Sequence, residues 1–212
     1  DPLHNPAGYV PLCTAENKLV TDMLAERCML AGTATASFSD SSVYCYNSFL
    51  GMPVAREAAA YFLARRFLFP EETNLTPDVA LQHIQPKHVA LSAGAAPILN
   101  HLCYLLGEAG DACLIPAPYY AAFVNDMHVI AGVIPYAVHQ ANPVQGPTDA
   151  ELDLAFLQAK ASGLNPRFLL LTNPNNPLAV IYRPQVMKSA IQWARKRKMH
   201  SIVDEIFALS TH

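Results

Sequence analysis

Phe168-Leu169-Leu170-Leu171-Thr172-Asn173-Pro174-Asn175-Asn176-Pro177 is the stretch on which the reading of this chain turns. Its first half is a short, continuous apolar run, the pattern of a strand buried on both faces. Two Asn-Pro steps follow, and they specify a rigid turn able to aim an amide side chain. Apolar strands that open into polar, proline-rich turns belong to parallel α/β sheets, where ligands sit at the carboxyl ends of the strands.

The flanking sequence keeps the same rhythm. Short apolar runs at 88–92, 112–115, 129–138 and 201–203 read as further strands. Helical patterns lie between them at 97–106, 120–127, 149–161 and 184–198, and Thr148 with Glu151 forms a capping box for the third. This alternation predicts an α/β fold: a three-layer α/β/α sandwich around a mostly parallel sheet. Upstream, Leu19, Val20, Met23, Leu24, Cys28 and Met29 share one helical face, with Gly32 expected to end that helix before a Ser/Thr-rich loop. A second helix is predicted from Pro53 to about Leu68. Pro70, Pro77 and Pro86 break the chain, so a boundary is placed there, giving domains 1–85 and 86–212.

Composition narrows the function. With 52% hydrophobic and 15% charged residues, the chain is not a disordered one. A net charge of -3 offers no basic surface, so no nucleic-acid partner is expected. The most continuous apolar stretch, 129–135, is too short to cross a bilayer, and no membrane partner is expected. Cys13, Cys28, Cys45, Cys103 and Cys113 contain no CxxC pair, so no metal is expected and buried thiols of a reducing, cytoplasmic setting are. Lacking an initial Met, the chain is expected to be a processed, trimmed or partial polypeptide.

The residues just after each strand carry the chemistry. Ser92-Ala93-Gly94-Ala95-Ala96-Pro97 opens a helix, and its small residues let backbone amides approach an anion. Tyr119, after Pro116-Ala117-Pro118, presents a ring that can stack on a flat ligand. The Asn-Pro turn aims an amide. Asp204 places a carboxylate at a strand end, where it needs a cation or donor. Each has an ordinary reading on its own: a tight turn, core packing, a loop, a helix cap. Together they supply what pyridoxal 5'-phosphate needs, namely amides for the phosphate, a ring for stacking, a donor for O3' and a carboxylate for the pyridine nitrogen.

At this point the chain resembles the fold-type I pyridoxal-phosphate enzymes, aminotransferase class I/II, and within them the 1-aminocyclopropane-1-carboxylate (ACC) synthase-like branch. The resemblance rests on Asn5-Pro6-Ala7-Gly8 with Ala15-Glu16-Asn17, on Tyr46 with the 51–56 segment, on 110–120, on Asn173 to Pro177 and on Asp204-Glu205-Ile206-Phe207. It implies an N-terminal arm with part of the small domain over 1–85, and an incomplete cofactor-binding large domain over 86–212. It further implies that Gly94, Ala95 and Ala96 bind the phosphate, Tyr119 stacks on the ring, Asn176 bonds O3' and Asp204 pairs with the ring nitrogen. Glu16 would stand near the substrate, and Tyr46 would reach toward the neighbouring subunit of a homodimer.

Three departures bear on activity. Ala96 stands where the branch usually has Thr, and Phe207 where it usually has a Tyr that donates to O3'. The family's Schiff-base lysine matches none of Lys18, Lys87, Lys160, Lys188, Lys196 and Lys198, so the chain reads as the N-terminal part of a family member. The expected function is a pyridoxal-phosphate enzyme acting on an amino acid, with amino transfer, elimination (as in carbon–sulfur lyases) and ring closure all open. The alternative is a non-catalytic homologue that binds the cofactor or pairs with an intact subunit. An unrelated nucleotide-binding domain is disfavoured by the lack of G-x-G-x-x-G.

Overall fold

The computed structural model describes His4, Asn5, Gly8 and residues 19–210. The chain divides into two compact units, residues 1–90 and 91–212.

In the first unit the helices are α1 (Thr21–Met29), α2 (Ala31–Phe38), α3 (Pro53–Leu63) and α4 (Pro77–His83). Gly32 does not end a helix. The break falls at Leu30, whose extended backbone caps α1, and the Ala-rich 31–38 stretch forms a second helix. Inside α2, Ser37 donates to the Thr33 carbonyl at 2.8 Å, so a residue that favours loops is accommodated in a helix. Pro53 occupies the first turn of α3, where its missing N–H costs nothing, and the helix continues through one π turn, Ala64–Leu68. Ala64, Leu75 and Ala80 form a small core against Tyr61, Phe69 and Ile84. Tyr61 ties that core to the following loop by donating to the Leu75 carbonyl at 3.0 Å.

In the second unit α5 (Ala95–Leu106), α6 (Phe123–His128), α7 (Asp149–Ala161) and α8 (Pro184–Lys196) surround four strands. These are β1 (Asp111–Pro116), β2 (Ile134–Val138), β3 (Asn165–Thr172) and β4 (His200–Asp204). All pair in parallel, in the order β2-β1-β3-β4. Alternate side chains sort the sheet into two buried faces. Cys113, Ile115, Phe168 and Leu170 meet Leu99 and Cys103 of α5 and Phe123 and Met127 of α6. Leu114, Leu169 and Leu171 meet Leu152 and Ala155 of α7 and Ala190, Trp193 and Ala194 of α8. Each large apolar side chain so buried contributes about 1.5–3 kcal/mol. The result is the expected three-layer sandwich.

Two expected strands change. Residues 88–92 hold a 3-10 turn, Pro86–His88, and then a partly extended segment that no described strand pairs, with Ala90 and Leu91 exposed. A strand needs a neighbour for its N–H and C=O groups, and none of the four described strands supplies one here. The run 129–138 becomes a strand only from Ile134 onward. Gly132, at φ +68°, turns the chain first and leaves Val129 and Ile130 exposed.

The capping box is present in full: the Thr148 hydroxyl accepts from Glu151 N, and the Glu151 carboxylate accepts from Thr148 N. Trp193 is buried in the core and donates from Nε1 to Asp153 at 2.9 Å. Arg197 lies 4.2 Å over the Trp193 ring and pairs with Asp153. Among the described residues no helix is long and apolar enough to cross a membrane.

Candidate functional site

The topology gathers the chemistry-bearing residues at one end of the sheet. A short turn joins the C-terminus of α5 to the start of β1, so α5 runs antiparallel to the strands. Its N-terminus therefore lies at their carboxyl edge. From β1 the chain first moves outward to β2, then crosses to β3 and β4 on the other side. That reversal makes the carboxyl edge between β1 and β3 the topological switch point, where parallel sheets commonly hold ligands. Tyr119, Asn176 and Asp204 follow β1, β3 and β4 at this edge. A cavity of about 520 Å³ lies at the opposite edge, lined in part by Asp111, Arg167 and His200.

Gly94 caps α5 at φ 100°, ψ 178°, a backbone conformation open almost only to glycine. No side chain caps the helix. Gly94 N bonds the Ser92 carbonyl, whereas the N–H groups of Ala95 and Ala96 meet no acceptor among the described residues. Pro97 removes the next donor. The helix thus presents two free, exposed amides at the positive end of its dipole, and open space lies beside Gly94. Tyr119 packs one side of its half-buried ring against the α5/α6 core.

The asparagine turn shows a division of labour. Asn173 Oδ1 accepts from Tyr182 N at 2.8 Å. Asn175, only 5% exposed, donates to the Tyr182 hydroxyl at 3.1 Å and accepts from Leu178 N at 3.1 Å. Those two amides hold the loop in shape. Asn176 is half-buried, and its side chain has no hydrogen bond among the described residues. The peptides at Ala117-Pro118, Asn173-Pro174 and Asn176-Pro177 are cis.

Asp204 is half-buried, and its Oδ1 accepts from Ile206 N at 3.0 Å, the cap-like role of its ordinary reading. Its backbone carbonyl accepts from Asn173 N at 2.9 Å, which ties the β4 end to the asparagine turn. Phe207 sits in the turn after β4, exposed and without a hydroxyl. Tyr46 is 99% exposed and follows a 3-10 turn, Ser41–Tyr44, in the first unit. Glu16 lies outside the described residues.

A supporting layer that no sequence motif marks lies beside these residues. Tyr182 is 2% exposed, and burial pushes its phenol above the ordinary value, against a smaller lowering by Gln140. Gln140 Nε2 donates to the Ala117 carbonyl at 3.0 Å, just ahead of Tyr119, while its buried Oε1 finds no donor in hydrogen-bond geometry. Thr172, 4% exposed, also has a buried hydroxyl without a partner. Ala179 holds φ +53°, a left-handed conformation that favours glycine. No periodicity or spacing signals any of these.

The site fits pyridoxal phosphate on its own features. Two free helix amides suit a phosphate, the unpaired Asn176 amide suits a phenolic oxygen, and the half-buried Asp204 carboxylate suits a pyridinium N–H.

Comparison with known proteins agrees. The chain is 32% identical over 213 residues to the mouse (Mus musculus) protein named "Probable inactive 1-aminocyclopropane-1-carboxylate synthase-like protein 2", covering 97% of this chain and 34% of the relative. It is 31% identical over 222 residues to 1-aminocyclopropane-1-carboxylate synthase 5 of rice (Oryza sativa subsp. japonica), covering 98% of the chain and 39% of the relative. Among solved structures, an archaeal alanine:glyoxylate aminotransferase superposes with a TM-score of 0.70 at 17% identity, covering 95% of this chain and 46% of that one. The Thermus thermophilus aspartate aminotransferase tetra mutant 1 gives 0.61 at 22%, covering 87% and 43%. These structures share the fold. The chain spans well under two thirds of the length of the curated relatives it matches. Residues 10–210 match the family described as aminotransferase class I and II, whose enzymes depend on pyridoxal phosphate, and the chain belongs to that family.

Proposed function

We propose that this chain carries the cofactor-cradling part of an ACC synthase-like, pyridoxal-phosphate-dependent enzyme acting on an amino acid. One observation supports the reading above others. The free α5 amides, Tyr119, the unpaired Asn176 amide and Asp204 converge on a single sheet edge. When bound, pyridoxal phosphate supplies an electron-accepting ring that stabilises negative charge at an amino acid's α-carbon. The amides of Ala95 and Ala96, aided by the helix dipole, bind the phosphate dianion. Tyr119 covers one ring face and excludes water from it. Asn176 donates to the phenolic oxygen. Because Phe207 has no hydroxyl, Asn176 is left as the side-chain donor proposed there. Asp204 holds a proton on the ring nitrogen, which keeps the ring electron-poor. Glu16 approaches the substrate, and Tyr46 serves the neighbouring site of a cytoplasmic homodimer.

A second reading is a homologue that binds the cofactor without turning over. Ala96 and Phe207 favour it, since each lacks a hydroxyl that the family usually offers the cofactor. The name "probable inactive" borne by the mouse relative and its human counterpart points the same way. Titration of the protein at its natural length with pyridoxal 5'-phosphate, followed by borohydride treatment and an amino-acid turnover assay, tests both. Covalent capture with turnover supports the enzyme, and reversible binding without either supports the binder. Binding no tighter than that of phosphate-free pyridoxal overturns the phosphate cradle and both readings with it.

A further inference from the structure

We infer that Thr172 is a positioning residue, whose hydroxyl steadies the Asp204 carboxylate when that carboxylate holds the ring nitrogen of the cofactor. The inference rests on the cofactor reading above and extends it to a residue the resemblance did not mark. Thr172 ends β3 directly opposite Asp204 in the parallel register, in line behind the pairs Phe168–His200 and Leu170–Ile202. Strand alternation puts all six side chains on one face of the sheet. That face is the α5/α6 face, because Phe168 and Leu170 lie in its core and Ile202 packs against it. The free amides of α5 and the Tyr119 ring belong to the same face. The Thr172 hydroxyl is therefore beside Asp204 and within the candidate site, yet it is buried and unpartnered.

A buried hydroxyl without a partner destabilises the fold, and valine would fill the same space without that penalty. Its natural partner is the neighbouring carboxylate. Asp204 Oδ1 already accepts from Ile206 N, and its second oxygen has no hydrogen bond among the described residues. Thr172, paired with Asp204 across the two strands, is the neighbouring hydroxyl that would donate to it. That bond would fix the carboxylate's orientation toward the ring nitrogen it holds.

The test uses the protein at its natural length, with Thr172→Val and Thr172→Ser made alone and in an Asp204→Asn background. Two quantities are read: the dissociation constant for pyridoxal 5'-phosphate and the melting temperature without cofactor. Thr172→Val is expected to weaken binding by about 10-fold or more, as for one hydrogen bond to a charged group, while the cofactor-free protein melts at or above the wild-type temperature. Thr172→Ser is expected to bind within about twofold of wild type, and Thr172→Val in the Asp204→Asn background to change affinity less than about twofold. The inference alone is overturned if Thr172→Val binds like wild type, if its loss persists undiminished without the Asp204 carboxylate, or if the cofactor-free valine variant melts lower than wild type. A wild-type protein that binds no pyridoxal phosphate overturns the cofactor reading, and this inference with it.

Discussion

Adjacent asparagines should fail in opposite ways. Asn175 is almost fully buried, and its amide joins the Tyr182 hydroxyl to Leu178 N. Replacing it by alanine removes two side-chain hydrogen bonds, each worth about 0.5–1.5 kcal/mol net. It also leaves the Leu178 N–H and the buried phenol short of a partner, and a stranded buried group costs about 1–3 kcal/mol. A total of about 2–4 kcal/mol follows, allowing for partial access of water to Leu178 N. Asn176 makes no such bonds, so Asn176→Ala should change stability by less than about 0.5 kcal/mol. Its loss should appear instead in affinity for pyridoxal phosphate. Thermal melts of the two variants at natural length, paired with cofactor titrations, read both effects. At about 2–4 °C per kcal/mol for a domain of this size, Asn175→Ala should melt roughly 4–16 °C lower. Equal melting temperatures for the two variants, or an Asn176→Ala variant that melts as low as Asn175→Ala, would refute the division of labour drawn from the turn.

Further tests follow from burial and backbone. Burial raises the Cys103 thiol to about 11 and pushes the Cys113 thiol up as well, so iodoacetamide at pH 8 should label the exposed Cys28 and Cys45 and spare those two, as read by peptide mass spectrometry. The folded state holds the Cys103 proton more tightly than the unfolded chain, so this contribution to stability is complete below about pH 9 and is lost as pH rises through about 11; Cys103→Ala should flatten that decline in alkaline melts. Ala179→Gly relieves a left-handed strain of about 1–2 kcal/mol, offset by about 0.5–1 kcal/mol of glycine entropy, and should leave the protein as stable or up to about 1.5 kcal/mol more stable in chemical denaturation. At Glu151, desolvation works upward, but donors from Thr148 and Ala141 outweigh it and hold the carboxyl below its ordinary 4.5; its stabilisation is present above that value and lost as pH falls, so Glu151→Gln should shallow the acid limb of the stability profile.

What the sequence shows clearly is what depends on neighbours along the chain. Helix α7 falls at 149–161 as read, because Thr148 and Glu151 cap it locally. The β3 strand and its turn are legible because apolar continuity and Asn-Pro steps are local signals. Residues 88–92 carry a strand's composition, but a strand exists only with a partner, and periodicity says nothing of partners. Gly32 suits a helix stop, yet the alanines around it favour a second helix, and Leu30 takes the break. The carboxyl-edge residues are legible as a set because a parallel sheet forces strand ends together. The roles of Asn173 and Asn175, of Tyr182 and of Thr172 are not, since each depends on which hydrogen bonds remain unmade after folding.

Unmade hydrogen bonds mark where this fold gives up stability. The Asn173, Asn175 and Tyr182 network closes the turn from behind through three side-chain hydrogen bonds. On the ligand-facing side the pattern reverses. The Ala95 and Ala96 amides, the Asn176 amide and the Thr172 hydroxyl are left without partners. For Thr172, nearly all buried, the cost is about 1–3 kcal/mol, and it is comparable with the gain from one core leucine such as Leu171. A sheet buried on both faces has enough such side chains to carry that cost, whereas a loop alone would not. The hydrogen-bonded backing and the unsatisfied front are therefore two aspects of one arrangement, in which groups that are expensive to leave open are held in place by a bonded turn behind them. A ligand that answers the open groups recovers that energy on binding, and binding should accordingly raise the melting temperature more in the wild-type protein than in any variant that has already removed an open group.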